Sequence, residues 1–239
     1  MTTDERRDFL RERLALVRER IDLACQAAGR TDHVDLVVVT KTYPASDVEL
    51  LAELGVRDVA ENRDQEAKAK RAEVRARELR WHMIGQLQRN KAISVARWAD
   101  VVESVDRLPL VSALARGVSQ ANRDEPLGVL LQVDLDPPGS IDRGGCPPDE
   151  VPLLAQAVAA HEHLKLQGVM AVAPHPATGI APERAFAELR EVAVRLQGRW
   201  PSATTISAGM SDDLEAAIGH GATQVRIGGA ILGPRPKVQ

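Results

Sequence analysis

Hydrophobic and polar positions change period along this chain in a regular rhythm. Phe9, Leu10, Leu14, Val17, Ile21 and Ala24 recur at spacings of three and four, which predicts an amphipathic helix over residues 4–28 with Gly29 as its stop. Residues 34–40 follow as Val-Asp-Leu-Val-Val-Val-Thr, short, β-branched and almost continuously apolar, the pattern of a strand covered on both faces. The alternation then repeats. Strands are predicted at 58–61, 81–84, 101–104, 127–134, 164–170, 204–207 and 224–227. Helices are predicted between them at 46–54, 62–79, 90–98, 149–160, 182–197 and 212–218, with Asp106 as a cap for one more. Asn62 and Gln65 have the spacing of a capping box.

Strands alternating with helices favour right-handed parallel crossovers, hence a closed barrel or an open doubly wound sheet. Eight units favour the α/β class of the (β/α)8 TIM-type barrel, with an extra helix at the N-terminus. The 239 residues suit one such domain over 1–239, since no Gly-, Ser- or Pro-rich linker divides them.

Charge and composition narrow the partners. Lys and Arg number 31 against 34 Asp and Glu, with no basic stripe, and only 3% of residues are aromatic, so neither a phosphate backbone nor stacked bases find a platform. No nucleic acid is expected. No apolar run reaches the length of a membrane span and the N-terminus lacks a signal-peptide core, which predicts a cytoplasmic protein without membrane contact. Cys25 and Cys146 match no metal-binding spacing and read as inert thiols, and His161 and His163 read as surface residues, so no metal is expected.

Two constellations carry candidate chemistry. Lys41 stands where the first strand empties onto the C-terminal face, the face on which barrel enzymes assemble their sites. Alternation places it with Val37 and Val39, so its amine enters an apolar barrel mouth that favours the neutral form a Schiff-base lysine needs. A strand-end lysine alone suits snorkelling into solvent equally well. The second constellation is the pair of small-residue strand ends at Ser207-Ala208-Gly209-Met210-Ser211-Asp212-Asp213 and Val225-Arg226-Ile227-Gly228-Gly229-Ala230. These follow the seventh and eighth strands, a frequent phosphate site in barrels. A helix cap by Ser211 or by Asp212 with Glu215 explains the first loop without a ligand. An amine and a phosphate nest together are what a pyridoxal phosphate site requires.

At these residues the sequence resembles the pyridoxal phosphate homeostasis protein family, over nearly the entire chain. The resemblance is carried by Val39-Thr40-Lys41-Thr42, by Glu61-Asn62 with Gln65-Glu66, and by Trp81-His82-Met83-Ile84-Gly85-Gln86. Gly209-Met210-Ser211-Asp212-Asp213 and Val225-Arg226-Ile227-Gly228 complete it. It implies a barrel like the N-terminal domain of alanine racemase, with pyridoxal 5'-phosphate held as an aldimine on Lys41. Arg226 would approach the pyridine nitrogen, Ser207, Gly209, Ser211, Gly228 and Gly229 would hold the phosphate, and Asn62 and His82 would lie around the ring. An Arg at that nitrogen disfavours its protonation and weakens the ring as an electron sink.

The chain departs from the family pattern at Ala60, where Gly precedes Glu-Asn, at Arg63, where Tyr is frequent, and at Gly229, where Thr is common. The implied function is intracellular buffering and delivery of the cofactor without catalysis, with apo forms of cofactor-dependent enzymes as candidate recipients. The alternatives are an amino-acid racemase and a barrel that binds a phosphorylated metabolite noncovalently. Against the racemase, Tyr43 is the sole tyrosine and lies two residues from Lys41, too close to act from the opposite cofactor face.

Overall fold

The β-branched runs form short parallel strands that pair in chain order and close on themselves in the computed structural model, which describes residues 2–121, 123–137 and 144–234. The strands are β1 (Asp35–Val39), β2 (Asp58–Glu61), β3 (Arg80–Met83), β4 (Val101–Val105), β5 (Leu127–Gln132), β6 (Leu164–Met170), β7 (Thr205–Ser207) and β8 (Gln224–Ile227). Closure is made by β8 against β1, where Val37 pairs with Arg226 and Val38 with Ile227. The helices α1 (Thr3–Ala27), α2 (Ala45–Glu53), α3 (Asp64–Glu73), α4 (Ala92–Val95), α5 (Leu108–Ala121), α6 (Val151–Ala159), α7 (Pro182–Arg199), α8 (Leu214–Gly219) and α9 (Gly229–Leu232) cover the outside. None of them is long and apolar enough to cross a membrane.

Two-residue alternation sorts the strand side chains. Val38, Val59, Trp81, Met83, Val102, Val129, Val169, Ile206, Val225 and Ile227 face outward into the main hydrophobic core beneath the helices. The interior holds two smaller apolar clusters, Val37, Val39, Ala60 and Ile84 on one side and Val101, Leu130, Met170 and Val172 on the other. Between them runs a seam of buried polar residues: Asp58, His82, Glu103, Ser207, Gln224 and Arg226.

Helix α1 starts at a capping box in which Thr2 and Glu5 serve each other's N–H groups, and buries Leu10, Leu14, Val17, Ile21 and Ala24. It packs on α8 and α9. From there Arg13 donates to the carbonyl of Ala230 at 2.9 Å and Arg20 to that of Ser211 at 3.1 Å. The N-terminal helix thus braces the two loops that follow β7 and β8.

Local details differ from the sequence expectations for physical reasons. No capping box forms at Asn62 and Gln65: Asn62 is exposed, Arg63 holds the cap position, and no side chain caps the helix. Helix α3 ends at Glu73 rather than continuing to residue 79, because Val74 and Leu79 both turn into the core. The helix expected over 90–98 is a 3-10 turn, Arg89–Lys91, leading into the single turn of α4. Asp212 and Glu215 form no capping box either; Asp213 precedes α8, and its carboxylate accepts from the Met210 N–H at 2.6 Å. Arg143, three positions before Cys146 in the sequence, lies outside the described residues. Burial pushes the Cys146 thiol up to about 12 and raises that of Cys25, so both stay protonated and unreactive at neutral pH.

Candidate functional site

A cavity of about 260 Å³ opens at the C-terminal mouth of the barrel, lined by Lys41, Ile84, Ser211, Arg226, Gly228 and Gly229, with Val39, Tyr43, Met210 and Asp212 completing the wall. Lys41 enters it from the turn after β1, on the same face as Val39, while Arg226 enters from β8 beside it. A primary amine and a guanidinium therefore share one apolar-floored cavity, and glycines next to them let backbone approach a ligand closely.

The Lys41 turn is gripped through its neighbours' backbone. Lys70 of α3 donates to the Thr40 carbonyl at 2.8 Å and to the Glu61 carboxylate at 2.6 Å. The Thr40 hydroxyl donates to the same Glu61 oxygen at 2.6 Å, and the Thr42 N–H donates to Glu66. Thr42 has φ +71°, a left-handed conformation that costs a β-branched residue about 1–3 kcal/mol, so surrounding contacts must enforce it. Glu61 Oε1 takes both donors, and Oε2, buried, has no hydrogen-bond partner among the described residues. Burial accordingly raises the Glu61 pKa despite the opposing pull of Lys70 and Thr40.

Arg226 is held by its own side chain. Nη1 donates to Ser207 Oγ at 2.6 Å and Nη2 to the Ala171 carbonyl at 2.8 Å. Ser207 in turn donates to Glu103 Oε2 at 2.6 Å, and Gln224 donates to both Glu103 Oε1 and Ser207 Oγ at 2.9 Å. Behind Glu103 stands His82, whose Nδ1 is 2.6 Å from Glu103 Oε1 and whose Nε2 is 2.9 Å from Asp58 Oδ1. Burial alone would lower the His82 pKa, but the two carboxylates outweigh it and push it up to about 9. The same contacts hold Glu103 and Asp58 below the usual carboxylate range against the upward push of burial. Burial lowers the Arg226 pKa, with Glu103 opposing.

Of the residues singled out in the sequence, Lys41, Ser211, Arg226, Gly228 and Gly229 meet at the cavity and four do not. Asn62 is exposed at the end of β2 and absent from the cavity wall. His82 is inside the barrel rather than beside the cavity, with both ring nitrogens taken by carboxylates. Ser207 is fully buried, off the cavity wall, and its hydroxyl is engaged by Glu103 and Arg226. Gly209 shapes the loop: its φ of +95° and an added Cβ only 2.8 Å from Ala217 Cβ require glycine there. Glu103, Asp58, Gln224 and Lys70 stand out in no sequence motif, and Glu61 and Glu66 do so only as part of the family pattern, without a site role. Glu103 had a visible signal, a charge inside the apolar run Val101-Val102-Glu103-Ser104-Val105.

Comparison with known proteins agrees with this architecture. Residues 13–236 match the family model described as alanine racemase, N-terminal domain. A protein of Pseudomonas aeruginosa named pyridoxal phosphate homeostasis protein is 44% identical over 225 residues, covering 94% of this chain and 95% of its own. PipY of Synechococcus elongatus, solved with PLP bound, superposes with a TM-score of 0.76 at 32% identity, covering 94% of this chain and all of that one. Alanine racemase of Corynebacterium glutamicum shares the fold at 14% identity, with a TM-score of 0.66 over 98% of this chain and 63% of its own. The chain belongs to the pyridoxal phosphate homeostasis protein family, built on the alanine racemase N-terminal domain.

Proposed function

We propose that this protein binds pyridoxal 5'-phosphate in the cavity at the C-terminal mouth and acts in cofactor buffering and delivery rather than in amino-acid chemistry. One observation carries the reading: Lys41 and Arg226 meet on a single cavity whose remaining wall includes Ser211, Gly228 and Gly229. When bound, the cofactor supplies an aldehyde that condenses with an amine, releasing water. Lys41 would provide that amine, Ser211 and the Gly228-Gly229 backbone would provide donors for the phosphate, and Arg226 would face the pyridine nitrogen. PipY, solved with PLP bound, supports the same ligand class here.

The geometry favours a carrier over a racemase. Tyr43 donates its hydroxyl to the Gly233 carbonyl and follows Lys41 by two residues, so it is not a base for the far side of a ligand. His82, the buried imidazole inside the barrel, has both ring nitrogens engaged by Glu103 and Asp58 and is not open to act as a base. The binding test is incubation with pyridoxal phosphate, followed by visible absorbance, borohydride reduction and peptide mapping. A visible band that reduction fixes onto the Lys41 peptide, lost in Lys41→Ala, is expected. No band, or label spread over several lysines, would replace this reading with noncovalent binding of a phosphorylated metabolite. Sustained inversion of an amino acid by the wild type would replace the carrier with an enzyme.

A further inference from the structure

The polar seam inside the barrel is a continuous line of alternating charge that joins its two mouths. At the N-terminal end Arg80 contacts Asp58 through Nε at 2.7 Å and Nη2 at 2.9 Å. The line continues through His82, Glu103 and Ser207 to Arg226 at the C-terminal cavity. Arg226 Nη1 lies 3.9 Å from Glu103 Oε2, so the two also attract directly. Asp58 and Arg80 each open a strand, and Asp58 lines a separate cavity of about 390 Å³ at the N-terminal mouth, with Arg18, His33, Asp35 and Arg57. His82, Glu103 and Arg226 are all less than 5% exposed.

The chemistry of the middle link fixes its charge. Ionised carboxylates only accept hydrogen bonds, and a neutral imidazole has a single N–H to give. His82 faces a carboxylate oxygen from each ring nitrogen, so only the imidazolium satisfies both. Glu103 then lies between two cations, His82 and Arg226, and its negative charge is shared between them. Any ligand that draws on Arg226 leaves more of Glu103 to His82, and by linkage the charge on His82 alters the hold of Arg226 on the ligand.

We propose that Glu103 and His82 are positioning residues for the ligand of the Lys41 cavity: they fix Arg226 in orientation, and they couple its grip to Asp58 and Arg80 at the opposite mouth. This rests on the cofactor reading above for the identity of the ligand, but not for the existence of the coupling. The groups that face His82 are Asp58 from β2 and Glu103 from β4, with Arg80, Ser207, Gln224 and Arg226 one contact further on. Affinity for the cofactor is therefore highest while His82 is charged, and falls as it titrates on the alkaline side.

The experiment is a titration of the full chain with pyridoxal phosphate, followed by the visible band from about pH 6 to about pH 10. It is run on the wild type and on Glu103→Gln, His82→Gln and Asp58→Asn, alongside side-chain nitrogen NMR of His82 in ligand-free protein. Glu103→Gln is expected to weaken binding by about tenfold or more at neutral pH, and Asp58→Asn, remote from the cavity, by about threefold. His82→Gln is expected to remove the alkaline fall while borohydride still labels Lys41. A role confined to packing would lower thermal stability in these variants without changing the pH profile, and that result overturns the proposal. So does an NMR signature of neutral His82 at pH 7, a readout that needs no variant to fold. If no protein shows the band, the cofactor reading fails, and the coupling is decided in ligand-free protein by Arg226→Lys. A displaced His82 titration supports it, and an unmoved one overturns it.

Discussion

Lys41 and Arg226 line one cavity, yet the protein builds their surroundings differently. The Lys41 turn is gripped through Thr40 and Thr42, by backbone and hydroxyl contacts to Glu61, Glu66 and Lys70. Arg226 is gripped by the guanidinium itself, through Ser207, Ala171 and Glu103. A side chain that presents a charge needs a fixed tip, and Arg226 has one. The two supports also differ electrically. Glu103 is ionised between cations, while burial raises the pKa of Glu61, one of whose oxygens has no partner among the described residues.

The largest expected effect breaks the Arg226 support. Glu103→Leu keeps an apolar filler of similar volume but leaves His82 and Arg226 as buried cations with no shared counterion, which is expected to cost about 3–5 kcal/mol in urea unfolding. The next is read in pH. His82 rises from 6.5 to about 9 on folding, a difference worth about 3 kcal/mol. Because the folded value is the higher one, that stability is fully present below about pH 6.5 and is lost as pH climbs through about 9. Glu103 and Asp58 are depressed, so their contribution is present above the ordinary carboxylate range and is lost as pH falls through their lower folded values. Wild-type unfolding free energy should therefore decline on both sides of neutrality, and in His82→Gln the alkaline decline should be absent. An unchanged alkaline decline in that variant would place its origin elsewhere.

Breaking the Lys41 support should cost less. Lys70→Met removes the cation from Glu61, but a carboxyl whose pKa is already raised can take up a proton instead of staying charged. A loss of about 1–3 kcal/mol is expected, smaller than for Glu103→Leu in the same urea series. The larger consequence is expected in the cavity: with the Thr40 carbonyl released, the rate at which the visible band forms with pyridoxal phosphate should drop several-fold. If Lys70→Met destabilised the protein as much as Glu103→Leu, the electrical contrast between the two supports would be gone.

Much of this arrangement was legible along the chain. The alternation of Val37, Val39 and Lys41 placed the amine on the inner face, and the eight-fold rhythm placed the loops after β7 and β8 beside it. What sequence spacing does not reveal is barrel closure across distant strands. Glu103 meets His82 across 21 positions and Gln224 across 121, so a charge in an apolar strand was visible but its partners were not. The same closure places the Ser207 hydroxyl against Glu103 and Arg226, and both ring nitrogens of His82 against carboxylates. Asn62 failed as a cap for a local reason, because the helix begins one residue later than expected, with Arg63 in the cap position. The strand ends were legible because backbone direction dictates them; the interior hydrogen bonds depend on three-dimensional neighbours.

The smallest expected effect adjusts the cavity without touching either support. Gly229 begins α9 at the cavity wall, an added Cβ there meets nothing within 4 Å, and its φ lies outside the left-handed range. Glycine is thus not required by the backbone at this position, in contrast to Gly209. Gly229→Thr introduces a hydroxyl beside the donors assigned to the phosphate, and one added neutral hydrogen bond is worth about 1 kcal/mol. Affinity for pyridoxal phosphate should rise about fivefold, with no change in the wavelength of the band or in its pH profile. Both supports stay intact in this variant, so the gain should appear equally in the wild-type and Asp58→Asn backgrounds. Unequal gains would mean that the phosphate end of the cavity is itself coupled to the charged line through the barrel.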